Sequence, residues 1–334
     1  MKKSMKITLN ILVFLIIVGF AGYMIHSVGK GESQSDQLQV IEKEELNSPY
    51  ELLSTFDVKS EIHSFELYKN QLFVSSEDSV FLFDLQENKL NSFAINSDNR
   101  DIKIQDDVIY ILYPAKIETY SLLGQKINEW SACSDNSDYC AMTLSADYVF
   151  VTDTENKNIC QYSKDGNFIQ FIKSPNGFII PSYSFDILNI DDTLYCANSG
   201  RHLIESYSID GKYITAFGKS GDEAGAFAGC CNPVYLAKTS RGDILTSEKG
   251  NPRISCYDKT GKFRTILLNN KLLGGGTSAC QIQVNDDCIF IARNNKISVF
   301  QFDAKSLVNS SCAGCPADCP MKSVQSSTQL NFKP

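Results

Sequence analysis

Cysteine is the residue type in this sequence best suited to chemistry, and five of its twelve copies fall in two short motifs. Cys230 and Cys231 are adjacent in the segment FAGCCNP, and Cys312, Cys315 and Cys319 form a C-x2-C-x3-C spacing near the C-terminus. Thiolates are preferred ligands of soft metals such as zinc and copper(I). In an exported chain, an even number of cysteines favours disulfides instead. The motifs therefore predict either a disulfide framework or a metal or redox centre.

The C-terminal cysteines are followed at once by Pro320, and this spacing resembles the end of a bacterial iron–sulfur cluster motif. The position of the first ligand in that motif is Asn309, so a fourth ligand would have to come from elsewhere in the chain. A tail tied down by disulfides is the competing interpretation. Both interpretations place the tail, residues 309–334, outside the main domain.

Histidine-based chemistry has little support in the sequence. The only histidines are His26, His63 and His202, and His26 belongs to the apolar N-terminal segment. A zinc or copper enzyme that uses several histidines is therefore excluded. The loop from Lys249 to Arg253 (KGNPR) places two cations on an acidic protein, so it is a possible site for an anionic ligand.

The N-terminus predicts export. Lys2, Lys3 and Lys6 precede an apolar stretch from Ile7 to Ile25, which is long enough to cross a bilayer as a helix. We expect residues 1–30 to be an uncleaved signal anchor, with a cleaved signal peptide as the alternative. The remainder would then face the periplasm or the cell exterior, or be secreted, with residues 31–48 forming a polar stalk.

The composition limits the partners. The chain carries 31 basic and 39 acidic residues and a formal charge of −8, so nucleic acid is not an expected partner. The hydrophobic fraction of 43% is enough for a packed core.

An internal repeat positions these residues. Six units combine an apolar strand, a polar turn, a second strand and a further strand carrying aromatic residues, and they recur every 40–50 residues or slightly less. This period is typical of four-stranded propeller blades and predicts an all-β, six-bladed β-propeller over residues 49–308. We expect either residues 38–41 or the C-terminal QLNF to supply the strand that closes the ring.

The segment of residues 210–238 resembles the linker of an NHL-repeat propeller. The residues that carry the resemblance are Asp210-Gly211, Phe217-Gly218, Gly221, Gly225 to Phe227, and Pro233. The resemblance implies a scaffold that binds proteins, peptides or small molecules at a propeller face, and it does not imply one activity.

The innermost strand of each propeller blade lines the central channel, so the repeat also predicts which residues meet. Alignment of the six repeats puts the following residues at one level near a channel mouth: His63, Arg100, Met142, Phe185, Val234 and Cys280. Cys140, Cys230, Cys231 and Asn232 come just before this level in their own repeats.

Three functions remain open. The preferred one is a membrane-anchored binding or assembly module in which the cysteines form disulfides, for example Cys133 with Cys140. The second is a metal or redox protein that uses Cys140, Cys230, Cys231 and Cys280 with an iron–sulfur cluster or a soft metal ion. The third is a hydrolase that resembles lactonases and uses acidic residues in the channel. Its candidate residues are Asp153, Asn198 and Glu248, which recur at one repeat position, although a structural role suits that position better.

Overall fold

The structure, a computed structural model, describes residues 48–303. These residues form 24 strands arranged in six four-stranded antiparallel sheets. The only helical element among them is a 3₁₀ turn at Ser199–Arg201. The arrangement confirms the predicted all-β, six-bladed propeller. The predicted anchor and most of the stalk, and the cysteine-containing tail, lie outside the described residues.

The strands follow the chain from blade to blade. Blade 1 contains β2 (Ile62–Tyr68), β3 (Gln71–Ser76), β4 (Ser79–Asp84) and β5 (Lys89–Ala94). Blade 2 contains β6 (Asp101–Gln105), β7 (Val108–Tyr113), β8 (Lys116–Ser121) and β9 (Lys126–Ser131). Blade 3 contains β10 (Tyr139–Leu144), β11 (Tyr148–Asp153), β12 (Asn158–Ser163) and β13 (Phe168–Ile172). Blade 4 contains β14 (Ile187–Ile190), β15 (Thr193–Asn198), β16 (Leu203–Ser208) and β17 (Tyr213–Phe217). Blade 5 contains β18 (Tyr235–Lys238), β19 (Ile244–Ser247), β20 (Ile254–Tyr257) and β21 (Phe263–Leu268). Blade 6 contains β22 (Gln281–Asn285), β23 (Cys288–Arg293) and β24 (Lys296–Phe302) and is completed by β1 (Tyr50–Asp57).

The ring is closed by β1, which pairs antiparallel with β24 as the outermost strand of blade 6. The two segments proposed from the sequence, residues 38–41 and the C-terminal QLNF, were the wrong choice for this position. A blade made of both the first and the last described strands joins the ends of the domain, so unfolding blade 6 would open the whole ring.

Glycine turns let neighbouring blades approach closely. Gly166, Gly211 and Gly261 end the Asp-Gly and Thr-Gly turns between the third and fourth strands, with φ of +85°, +85° and +86°. A Cβ added to Gly166 would lie 2.3 Å from the Trp130 ring, and one on Gly261 would lie 2.2 Å from the Phe217 ring. Only glycine combines this backbone with no side chain, so the turn signal of the repeat also sets the contact with the preceding blade.

The core consists of apolar clusters between successive blades, each built from strands of two adjacent sheets. This packing fixes the innermost strands around the channel. Within residues 48–303, no helix has the length and apolar character that crossing a membrane requires.

Candidate functional site: the channel mouth

A cavity of about 900 Å³ opens where the innermost strands begin, and all six blades contribute to its wall. Ligand sites in proteins commonly have volumes of about 300–1,000 Å³. The wall includes His63, Arg100, Cys140 and Lys249, four residues that the sequence had placed at or near a channel mouth or in the basic loop.

Strand register corrects the predicted alignment of blade 3. Phe65 pairs with Val74 and Ile102 with Ile111, and the equivalent pair in blade 3 is Met142 with Val151. Met142 was therefore placed two residues away from its true level. Cys140 takes that level, beside His63 and Arg100.

The rim carries a positive charge that is held in place. The Arg100 guanidinium forms an ion pair with Asp138 at 2.9 Å and donates a hydrogen bond to the Tyr139 carbonyl at 3.0 Å. Its centre lies 6.0 Å from the ring centroid of Tyr183, within the range of a cation–π contact. His63 lies in the neighbouring blade, with Nδ1 3.0 Å from the carbonyl oxygen of Asn99, the residue before Arg100.

The Cys140 thiol faces the cavity and donates a hydrogen bond to the Tyr183 carbonyl at 2.9 Å. Burial raises the pKa of this thiol to about 12. The protonated form is therefore the stable one at neutral pH, whereas a metal ligand has to be a thiolate.

Asp101 lies below the rim and joins three blades. Its carboxylate accepts hydrogen bonds from the Ser64 hydroxyl at 2.8 Å and the Met142 backbone N–H at 2.9 Å. The Lys103 ammonium also donates to it at 2.8 Å. The carboxylate thus connects blades 1, 2 and 3, and its charge is balanced.

Asp186 does the same for blades 4 and 5. It accepts the backbone N–H of its neighbour Ile187 at 2.9 Å and that of Leu236 at 2.7 Å. Burial, together with the charge of Asp101, raises the pKa of Asp186 to about 7, against the opposing effect of Lys103. Burial likewise raises the pKa of Glu66 to about 7.

The hydrolase interpretation requires acidic side chains that converge in the channel. The carboxylates in the cavity are occupied by hydrogen bonds between blades, and in the described part of the chain no three metal-ligating groups meet there within 4.8 Å. The repeated Asp153, Asn198 and Glu248 also serve their own blades. Asp153, for example, accepts backbone N–H groups of Glu155 and Asn156 at 3.1 and 3.0 Å.

The structure places the four cysteines of the predicted metal site in three different environments. Cys140 lines the cavity, and Cys280 is buried in the apolar cluster of blades 5 and 6, where the Arg293 Nε–H donates to its sulfur at 3.2 Å. Cys230 and Cys231 form a pair with sulfur atoms 3.0 Å apart. Cys312, Cys315 and Cys319 lie outside the described residues.

Asn232 supports the mouth without lining it. Its side chain is fully buried, donates to the carbonyls of Ala228 and Lys249 and accepts the Lys249 backbone N–H at 2.9 Å. The residue therefore holds the loop that carries Cys230 and Cys231 against the loop that carries Lys249.

The two cations of the basic loop have different roles. Lys249 faces the cavity, and its ammonium donates to the Ser182 hydroxyl at 2.8 Å. Arg253 is only 7% exposed and its guanidinium binds both carboxylate oxygens of Glu248, with Nε at 3.0 and 2.9 Å from them. Arg253 is thus committed to an internal ion pair, and Lys249 alone remains a candidate ligand contact.

One group of possible ligands was not foreseen. The sulfur atoms of Cys133 and Cys160 lie 2.9 Å apart, and the Asp153 carboxylate lies within 4.8 Å of both. The predicted partner of Cys133, Cys140, lies elsewhere, with Tyr183. Asp153 already binds four donors of neighbouring residues, so this group favours a disulfide over a metal site.

No protein-family model matches this chain, and no curated protein matches it. Several solved structures match this chain. Virginiamycin B lyase from Staphylococcus aureus is 13% identical, with a TM-score of 0.53 over 75% of this chain and 99% of that chain. The WD40 domain of Neurospora crassa Pan2 is 8% identical, with a TM-score of 0.53 over 77% of this chain and 96% of that chain. A streptogramin B lyase structure is 13% identical, with a TM-score of 0.52 over 77% of this chain and 99% of that one. At these identities the similarity establishes the propeller fold and no activity.

Proposed function

We propose that this chain is a binding module, held outside the cytoplasm by its N-terminal apolar segment, and that the cavity at its channel mouth binds a small organic anion. The cavity itself carries this proposal: it has the volume of a ligand site, and all six blades contribute to its wall. The resemblance of the linkers to NHL repeats supports a binding role and a place for the chain in that family. Propeller folds commonly mediate interactions, which agrees with this role.

The charges around the cavity favour an anion. Lys249 lies in the cavity wall, and its ammonium group donates a hydrogen bond to the uncharged hydroxyl of Ser182. Arg100 adds a second cation at the rim, although it is shared with Asp138. Below them, the charge of Asp101 is balanced by Lys103. A ligand carboxylate or phosphate could therefore exchange water for Lys249 in competition with Cys231, and Asp186 in the wall, with a pKa of about 7, is partly protonated at neutral pH.

Aromatic and apolar groups complete the wall. Tyr183 is 64% exposed at the rim, an unusual exposure for a large aromatic side chain, and Phe185, Val234 and Tyr235 lie beside or below it. Such a wall suits a ligand with an apolar body and an anionic end, because burying the body supplies the hydrophobic contribution and the cation fixes the orientation.

Thermal unfolding of the full-length chain in detergent tests this proposal. The probes are citrate, succinate and inorganic phosphate, each compared with sodium chloride at equal ionic strength. We expect at least one probe to raise the Tm, because a ligand at 100 times its Kd stabilises the folded state by about 2.7 kcal/mol.

Two variants locate the effect. Lys249→Gln should abolish most of the rise in Tm, whereas Lys212→Gln should keep it, because Lys212 is 83% exposed in its side chain and lies in a turn between outer strands. If no probe raises the Tm, or if the rise is the same in Lys249→Gln, the proposed anion site is wrong.

A further inference from the structure

The loop that carries Cys230 and Cys231 presents two thiols with unequal access to solvent. The Cys230 thiol is exposed, whereas Cys231 is only 2% exposed. Their sulfur atoms lie 3.0 Å apart, closer than two non-bonded sulfur atoms usually approach. No other cysteine of residues 48–303 combines an exposed thiol with a second sulfur at this distance.

The loop is fixed on both sides of the pair. Asn232 binds it to the backbone of Lys249 through two hydrogen bonds of 2.9 Å. On the other side, the His202 ring lies with Nε2 2.7 Å from the Gly229 carbonyl oxygen. Gly229 has φ of +74°, a conformation that favours glycine, and a Cβ there would meet nothing within 4 Å. The backbone therefore holds the two sulfur atoms in contact without a covalent bond.

The surroundings of Cys231 favour a thiolate. Burial raises its pKa, but hydrogen bonds from Ser182 and Cys230 and the positive charge of Lys249 outweigh burial, so the pKa lies below its ordinary value. The pKa of Cys230 is raised, first by its hydrogen bond to Cys231 and then by the charge of that sulfur. The two shifts make the inner sulfur the more acidic of the pair, so when one proton is lost the negative charge lies on Cys231.

Four other cysteines show the opposite tendency. Burial raises the pKa of Cys140, Cys196, Cys256 and Cys280, all of which lie within strands or at their edges. Reactive cysteines are partly exposed and lie near cations, whereas structural ones are buried and inert. The contrast marks the 230–231 loop as a distinct chemical site beside the cavity.

We propose that Cys230 and Cys231 form a dithiol–disulfide couple that exchanges with exposed disulfides of other proteins or of small thiols. Cys230 attacks one sulfur of the partner disulfide while its proton passes to Cys231. The partner's S–S bond breaks, and the first leaving thiolate takes that proton. The Cys231 thiolate then attacks the Cys230 sulfur and expels the second partner sulfur as a thiolate. The couple loses two electrons, the partner disulfide gains them, and the number of protons is unchanged.

The reverse reaction needs a thiol of the same class, so glutathione and its disulfide can supply both directions. Full-length protein is equilibrated in buffers of graded glutathione ratio, free thiols are alkylated under acid quench, and the peptide that contains both cysteines is weighed. We expect one transition between a doubly alkylated peptide and an unalkylated peptide lighter by two hydrogen atoms than the unmodified dithiol form.

Single substitutions separate the two roles. Cys231→Ser should stop at the first step, with glutathione bound to Cys230, whereas Cys230→Ser should bind at least tenfold less glutathione because the inner sulfur is shielded. Cys288→Ser, in β23 and outside the cavity wall, is the matched control and should leave the transition unchanged. Two thiols that stay alkylatable at every ratio, or a pair found bonded to other cysteines, would overturn the proposal.

Discussion

The buried ion pair between Arg253 and Glu248 gives the most direct test of how the basic loop is used. The two side chains are 8% and 1% exposed, and the guanidinium also donates to the Ala226 carbonyl. Arg253→Met keeps an unbranched apolar side chain but removes every donor. The Glu248 carboxylate would then keep a single side-chain partner, the Ser255 hydroxyl at 2.9 Å.

The loss of unfolding free energy in Arg253→Met should be large. Removing one partner of a buried ion pair leaves an uncompensated charge and costs about 3–5 kcal/mol. That cost is a large share of a typical unfolding free energy of about 5–15 kcal/mol. Urea unfolding can measure it through the fluorescence of Trp130, which is the only tryptophan of the chain and is 6% exposed.

Two comparisons make the test specific. Lys219→Met removes the ion pair with Glu223 in the linker between β17 and β18, whose side chains are 65% and 56% exposed, and should cost about 1 kcal/mol or less. Adding Glu248→Gln to Arg253→Met should recover part of the loss, because the unpaired charge is removed. If Arg253→Met costs no more than Lys219→Met, Arg253 is not committed to the core and returns as a ligand candidate.

Three further predictions concern disulfides, pH and ring closure. Peptide mapping under non-reducing conditions should show Cys133 and Cys160 joined by a disulfide. Cys133→Ser should then lower the unfolding free energy by about 3–4 kcal/mol, the value expected for a disulfide that closes the loop between these two residues. Two free thiols in the mapped protein would contradict this. Burial raises the pKa of Asp186 to about 7 from an ordinary value of 3.8, so the folded chain holds a proton that the unfolded chain releases, and this stabilisation is lost as the pH rises through that window. The unfolding free energy of the wild type, measured by urea titration, should therefore fall relative to that of Asp186→Asn by up to about 1.4 kcal/mol per pH unit between pH 3.8 and about 7. If the unfolding free energies of the two proteins change in parallel with pH, the raised pKa is refuted. Deleting residues 48–57 removes β1 and should abolish the cooperative thermal transition measured by circular dichroism, since blade 6 keeps only three strands and β24 loses its partner on one edge; an unchanged Tm would show that the ring closes otherwise.

Much of the fold could be predicted from the sequence because each blade repeats the same local physics. The alternation of apolar residues sets the strands, and turns such as Asp165-Gly166 and Asp210-Gly211 end them. The repeated Asp153, Asn198 and Glu248 could be recognised as structural, since a residue that recurs in several blades usually serves the blade: Asp153 and Asn198 accept backbone N–H groups, and Glu248 accepts the Ser255 hydroxyl.

The closing strand could not be predicted. An outermost strand pairs along one edge only and most of its side chains face solvent: Leu52 is 54% exposed and Leu53 is 61% exposed. Its sequence, YELLSTFD, therefore has no apolar period that would distinguish it from the stalk. Only the pairing with β24 identifies it.

The cysteine contacts were also beyond the sequence. Spacing placed Cys140 and Cys280 near one channel mouth, but spacing does not give the direction of a side chain. The Cys140 thiol faces the cavity and bonds to the Tyr183 carbonyl. The Cys280 thiol faces the core and accepts a hydrogen bond from Arg293. A shift of two residues in one blade was enough to misplace Cys140. Cys133 and Cys160 meet through adjacent segments of blade 3 that no motif marks.

The central claim is that the channel-mouth cavity binds a small organic anion, and blocking the cavity tests it most directly. Ser278 is exposed and lines the cavity, so Ser278→Trp should fill the mouth without disturbing the core. Ser240 is also exposed but lies in the turn at the opposite end of β18, which makes Ser240→Trp a matched control. Isothermal titration with citrate, succinate and phosphate should show the same Kd for wild type and Ser240→Trp, and at least a tenfold weaker Kd for Ser278→Trp. Equal affinity in all three proteins, or no binding to the wild type, would contradict the claim.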